Sequence, residues 1–206
     1  MATAVGALHL LASYRRATTV ARLTKAVPIA LLLVWVLGHV PAVGETYRWL
    51  LATGLVFSMG GDLFLLSPAY FRAGLASFFV GHVCYLLAFT TASTGFVLSI
   101  PWMVGLVAVA AVMLARLWPY VVRERIPVAC YVVMISAMAL AAIGRSLAPE
   151  TPEPSGRLAA MGAVVFMTSD ATLAFDRFVH PWRGARAVVM VTYYAAQMLI
   201  AASVAA

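Results

Sequence analysis

Charged side chains are scarce in this chain, making up 10% of its 206 residues against 64% hydrophobic ones. Soluble domains carry about a quarter charged residues. No polar stretch here is long enough to build a separate soluble domain, so any function must sit within a helix bundle or at its mouth. Cysteine is nearly absent as well. Cys84 and Cys130 each lie inside an apolar run with no nearby partner, which argues against a disulfide framework and reads them as small buried residues. Cys/His spacing of the metal-binding kind does not occur, nor does a Ser-His-Asp order or a nucleophile elbow. No convincing repeat relates the two halves, which weighs against the transporters built from such repeats. The first apolar stretch lacks a basic segment before it, so a cleaved signal peptide is not expected, and Arg15-Arg16 lacks twin-arginine surroundings.

What the chain has instead is long apolar runs separated by short charged loops. Seven runs, at about 26–43, 47–66, 73–92, 97–117, 126–147, 158–178 and 186–205, each approach the roughly 20 residues that cross the hydrocarbon core. A shorter segment at about 4–14 (AVGALHLLASY) reads as an eighth, leading helix. The expected fold is an all-α polytopic transmembrane bundle, a single domain over residues 1–206.

The net charge of +7 then reports topology rather than nucleic acid. Eleven of the fourteen basic residues gather on one face: Arg15, Arg16, Arg22, Lys25, Arg72, Arg116, Arg123, Arg125, Arg177, Arg183 and Arg186. The other face has Arg48, Arg145 and Arg157. The rich face is expected in the cytoplasm, which puts the C-terminus outside. The proline-rich stretch Ala148 to Gly156 (APETPEPSG) reads as an extended external connection. Gly60-Gly61, Gly81 and Gly162 read as positions of close helix packing.

Only two of the seven acidic residues fall inside runs, Asp62 in FSMGGDLFLLSP and Asp170 in VVFMTSDATLAF. An aspartate buried at depth costs at least a few kcal/mol and marks function by default. Helical rise puts the pair roughly 6 and 12 Å below the cytoplasmic surface. His82, Tyr193, Tyr194 and Gln197 enter from that same face to similar depths. Helical spacing adds Ser58, four residues before Asp62, and Tyr85, three after His82. Alone, His82 reads as a satisfied core histidine and the tyrosines as packing; a depth shared with two acids moves them toward a site. Two carboxyls in a low-dielectric pocket resist carrying charge together, so one can donate a proton while the other activates water. A metal site of the two aspartates with His82 is the less favoured alternative.

Taken in order, Lys25 with Pro28, FSMGGDLFLL, FFVGHVCYLLAF, GAVVFMTSDATLAF and VTYYAAQMLI resemble the YhhN-like lysoplasmalogenase family. The resemblance implies an eight-helix membrane enzyme that cleaves the vinyl-ether bond of lysoplasmalogens, with catalytic acids in its GD and SD motifs, here Asp62 and Asp170. The chain departs from the pattern in its short leading segment and in the extra glycine at Gly60. On this reading Lys25 holds the lipid phosphate, or is an ordinary interface lysine. His82, Tyr193, Tyr194 and Gln197 orient the acids or hold the ether oxygen and glycerol hydroxyl. Neither cofactor nor metal is expected; the partners are a lysophospholipid entering from the bilayer and membrane lipid. The expected location is the plasma membrane of a bacterium, with the site in the cytoplasmic half. A proton-coupled transporter and a hydrolase of another lysolipid are the competing readings.

Overall fold

The computed structural model describes residues 25–91 and 97–206. Among them the regular structure is helical throughout: α1 (Val27–Gly38), α2 (Glu45–Phe64), a single 3-10 turn (Pro68–Tyr70), α3 (Phe71–Thr91), α4 (Ile100–Leu117), α5 (Arg125–Ser146), α6 (Glu153–Phe178) and α7 (Ala185–Ala202). Seven helices thus stand where eight were expected, and the candidate leading segment at 4–14 lies outside the described residues. Five of them, α3 to α7, are long and apolar enough to cross a membrane. A soluble domain has no use for so many such helices, and the chain is a multi-pass membrane protein.

Two helix boundaries differ from the sequence reading for local reasons. The run at 26–43 yields a helix of only 12 residues, about 18 Å long and short of a full crossing. It stops at Gly38 because His39 is already extended, at φ −104° and ψ 146°; Pro41 follows, and a proline bars helical geometry from the residue before it. Conversely, the stretch expected to be extended up to Gly156 turns helical at Glu153. Pro154 sits in the first turn, where its missing N–H costs nothing, and Glu153 complements the helix dipole there.

Close packing depends on small residues. A Cβ on Gly54 of α2 would run into the ring of Tyr85 on α3. On Gly162 of α6 it would come within 2.7 Å of Ile200 and 3.0 Å of the Ala196 carbonyl on α7. These absent side chains let α2 lie on α3 and α6 on α7, the two closest pairs of the bundle. α4 is different: Leu117 is its only buried residue, and its flank is almost entirely open to the surroundings.

A polar cluster ties four helix ends together. Arg145, expected as an external loop charge, is fully buried at the end of α5. Its Nη2 donates to Ser155 Oγ on α6 at 2.8 Å, and Ser155 donates to the Ser203 carbonyl beyond α7 at 2.6 Å. Ser203 Oγ lies 2.7 Å from the hydroxyl of Tyr47 at the start of α2, and the guanidinium stacks 4.6 Å from that ring. The helices therefore alternate in direction, and Asp62 and Asp170 belong to the opposite end of the bundle.

Candidate active site

Asp170 projects from the last third of α6 into a cavity of about 730 Å³, counting the space at its open mouth. The lining comes from α3, α4, α5 and α6, with Leu65 from the end of α2, and is apolar apart from Asp170, Tyr131, Ser136 and Arg177. One face of α6 supplies its wall, since Met167, Asp170, Ala174 and Arg177 recur at helical spacing. Tyr131 of α5 donates its hydroxyl to Asp170 Oδ2 at 2.6 Å. His82 Nε2 from α3 lies 3.2 Å from the same oxygen and 2.9 Å from the tyrosine hydroxyl. Oδ2 is thus served by two groups, while Oδ1 has no hydrogen-bond partner among the described residues. If the carboxyl carries a proton, this arrangement leaves Oδ1 to hold it and to offer it to the cavity.

Asp62 occupies a second cluster at the same end. Its side chain is 2% exposed and does not line the cavity. Lys25, just ahead of α1, reaches it with Nζ 3.2 Å from Oδ1 and 3.4 Å from its main-chain carbonyl. Tyr193 of α7 donates to Oδ2 at 2.8 Å, and Tyr194 donates to the Lys25 carbonyl at 3.0 Å. Both carboxylate oxygens are therefore occupied, and the charge has a counterion. A train of rings connects the two acids: Phe166 meets His82 edge-on at 4.7 Å and Tyr193 at 5.5 Å, and Phe78 meets both Phe166 and Tyr193. The two carboxyls remain within electrostatic reach of each other.

The remaining candidates form a third set. Tyr85 donates to Gln197 Oε1 at 2.7 Å, deep between α3 and α7. Ser58 is buried where α2 faces Gly81. None of these three side chains hydrogen-bonds to an aspartate or lines the cavity. The structure brings His82 to Asp170, and Lys25, Tyr193 and Tyr194 to Asp62. No cluster of three or more His, Cys, Asp or Glu able to hold a metal occurs among the described residues, and the alternative trio of Asp62, Asp170 and His82 is divided between two clusters.

Sequence reasoning missed Tyr131 and gave Arg177 only a topological role. Tyr131 lies six residues beyond Arg125, where α5 begins. The depth argument that selected Tyr193 applies equally there, so the signal was present.

Comparison with known proteins fits this architecture. The profile of the YhhN family matches residues 20–204. The rat protein lysoplasmalogenase TMEM86B is 36% identical over 184 residues, covering 89% of this chain and 72% of the relative. Human lysoplasmalogenase TMEM86A is 35% identical over 196 residues, covering 89% and 78%. A lysoplasmalogenase of Mycobacterium tuberculosis is 29% identical over 171 residues, covering 78% and 61%. No solved structure matches the chain. Since the matched region takes in every described helix and both acid clusters, the chain belongs to the YhhN family.

Proposed function

We propose that this protein hydrolyses the vinyl-ether bond of lysoplasmalogens, giving a fatty aldehyde and a glycerophospho-ethanolamine or -choline. The observation that carries the reading is a carboxyl group with one unengaged oxygen in the wall of a largely apolar cavity. The names of the relatives point to the same chemistry.

A vinyl ether opens by protonation at its outer alkene carbon. Asp170 delivers that proton from Oδ1, while Tyr131 and His82 hold Oδ2 and take up the charge left on the carboxylate. The resulting oxocarbenium ion lies against the carboxylate. Water adds to the cationic carbon and gives a proton back to Asp170, and the hemiacetal collapses to the aldehyde and a glycerol hydroxyl. Atoms balance with one water consumed and the acid regenerated. Asp62, paired with Lys25, acts on this step through its position and field, holding Tyr193 against the ring train that backs His82. Lipid enters past the sparsely packed α4. The site lies in the cytoplasmic half of a bacterial plasma membrane, as the gathering of basic residues at this end supports.

The test supplies purified protein in detergent with a lysoplasmalogen, its saturated ether analogue and an acyl lysolipid, and follows free aldehyde. Turnover of the vinyl ether alone is the expected result. Release of fatty acid from the acyl lipid, or no aldehyde from any substrate, refutes the proposal.

A further inference from the structure

We propose that Arg177 is the phosphate-binding group of this site and selects lysolipids that carry a phosphodiester headgroup. The inference rests on the vinyl-ether reading above and adds to it the residue that recognises the other end of the substrate.

Three observations carry it. First, Arg177 lines the same cavity as Asp170 and lies on the same face of α6, two turns closer to the helix end. Seven residues of helical rise separate the two by about 10 Å along the axis. In a lysoplasmalogen, the glycerol backbone sets the outer vinyl carbon about 8 Å from phosphorus at ordinary bond lengths. The two side chains can therefore engage both ends of one molecule.

Second, the cation is free to take an anion. Glu124, the carboxylate within electrostatic reach of Arg177, already accepts three hydrogen bonds from Arg72 at 2.9–3.0 Å. Arg177 forms no ion pair among the described residues. Its guanidinium lies 3.6 Å from the centroid of the Phe71 ring. Stacking of this kind holds the planar group in one orientation and leaves its N–H edge for an oxyanion, which suits the bidentate contact that arginine makes with phosphate. Lys25, the sequence candidate for this role, instead has its ammonium on Asp62 and does not line the cavity.

Third, the order of chemistry along the cavity follows the order of groups in the substrate. Nearest the helix ends stand Arg177, Phe71 and Phe178; about two turns inward come Tyr131 and Asp170; beyond them on α5 and α6 the wall is Ile135 and Met167. A lysoplasmalogen threaded headgroup-out presents phosphate, then vinyl ether, then hydrocarbon. The reverse orientation buries the phosphate among alkyl side chains, which is prohibitively unfavourable.

The experiment uses the full-length protein in detergent and the variants Arg177→Gln and Arg177→Lys. Turnover is measured on a lysoplasmalogen and on the corresponding 1-alkenylglycerol, which has the same vinyl ether and no phosphate. Binding of the saturated-ether lysophospholipid and of the phosphate-free 1-alkylglycerol is measured alongside, with inorganic phosphate as competitor. Wild-type protein is expected to prefer the phosphate-bearing member of each pair, and Arg177→Gln to cut that preference by about tenfold to a hundredfold, the range of a charge-assisted pair. The loss appears in KM rather than kcat, and Arg177→Lys restores part of it. Phosphate alone competes weakly if the subsite is built for the whole lipid. An unchanged preference in Arg177→Gln overturns the inference while leaving vinyl-ether hydrolysis standing. Should no substrate be cleaved, a preference for the saturated-ether lysophospholipid that still depends on Arg177 upholds the subsite although the reaction assigned above fails.

Discussion

Replacing each aspartate by asparagine separates the roles of the two clusters. In Asp170→Asn the amide is isosteric, its oxygen can still accept from Tyr131 and His82, and its nitrogen faces the cavity. Folding should be nearly unaffected, but no ionisable proton remains. Loss of a general acid lowers the rate by about 10²–10⁴-fold, or about 3–5 kcal/mol in the barrier. Asp62→Asn acts elsewhere. It leaves the Lys25 ammonium without its carboxylate in a pair whose side chains are 12% and 2% exposed. Breaking a buried pair costs about 3–5 kcal/mol of stability, and the residual exposure of Lys25 favours the lower figure.

Thermal unfolding in detergent and aldehyde release per folded molecule together read out this asymmetry. Asp170→Asn should keep its Tm and lose activity. Asp62→Asn should lose Tm first, retain more turnover per folded molecule, and recover stability when Lys25→Met is added, because the stranded cation is then gone. Full activity in Asp170→Asn refutes the assignment of the proton. Equal loss of turnover in both variants, with both fully folded, refutes the division of labour and returns the two acids to equivalent roles.

Tyr131→Phe removes one of the two groups on Asp170 Oδ2 while keeping the ring; kcat should fall about tenfold to a hundredfold with little change in Tm, checked by the same two assays. Gly54→Ala places a methyl group against the buried Tyr85 ring and should cost about 1–3 kcal/mol, read as a lower Tm and weaker association of α2 with α3. At the far end, Ser155→Ala removes the acceptor of Arg145 Nη2, whose Nε and Nη1 already have no protein partner among the described residues. It should destabilise by about 1.5–3 kcal/mol and leave kcat on folded protein unchanged, since that cluster and the cavity lie at opposite ends of the bundle.

The sequence by itself determined that this is a membrane helix bundle, roughly where the helices run, and which polar side chains enter from the end that holds Lys25. Those properties are one-dimensional. Hydropathy depends on composition within a window, and depth follows from counting residues at a fixed rise. Even the corrected boundaries at Gly38 and Glu153 come from local proline chemistry.

What only the tertiary structure decided is direction around each helix axis and the pairing that follows from it. Successive residues point about 100° apart, so an aspartate at the right depth can face lipid, a neighbouring helix or a cavity, and residue counting along one helix does not tell which. Packing of α2 on α3 and of α6 on α7 turned Asp62 toward Lys25 and Tyr193, and left Asp170 to open into the cavity beside Tyr131. The same packing drew Arg145 inward, although its position at the end of a run made it look like a surface charge. It also set Arg177 on the cavity wall, two turns from the acid it is proposed to serve.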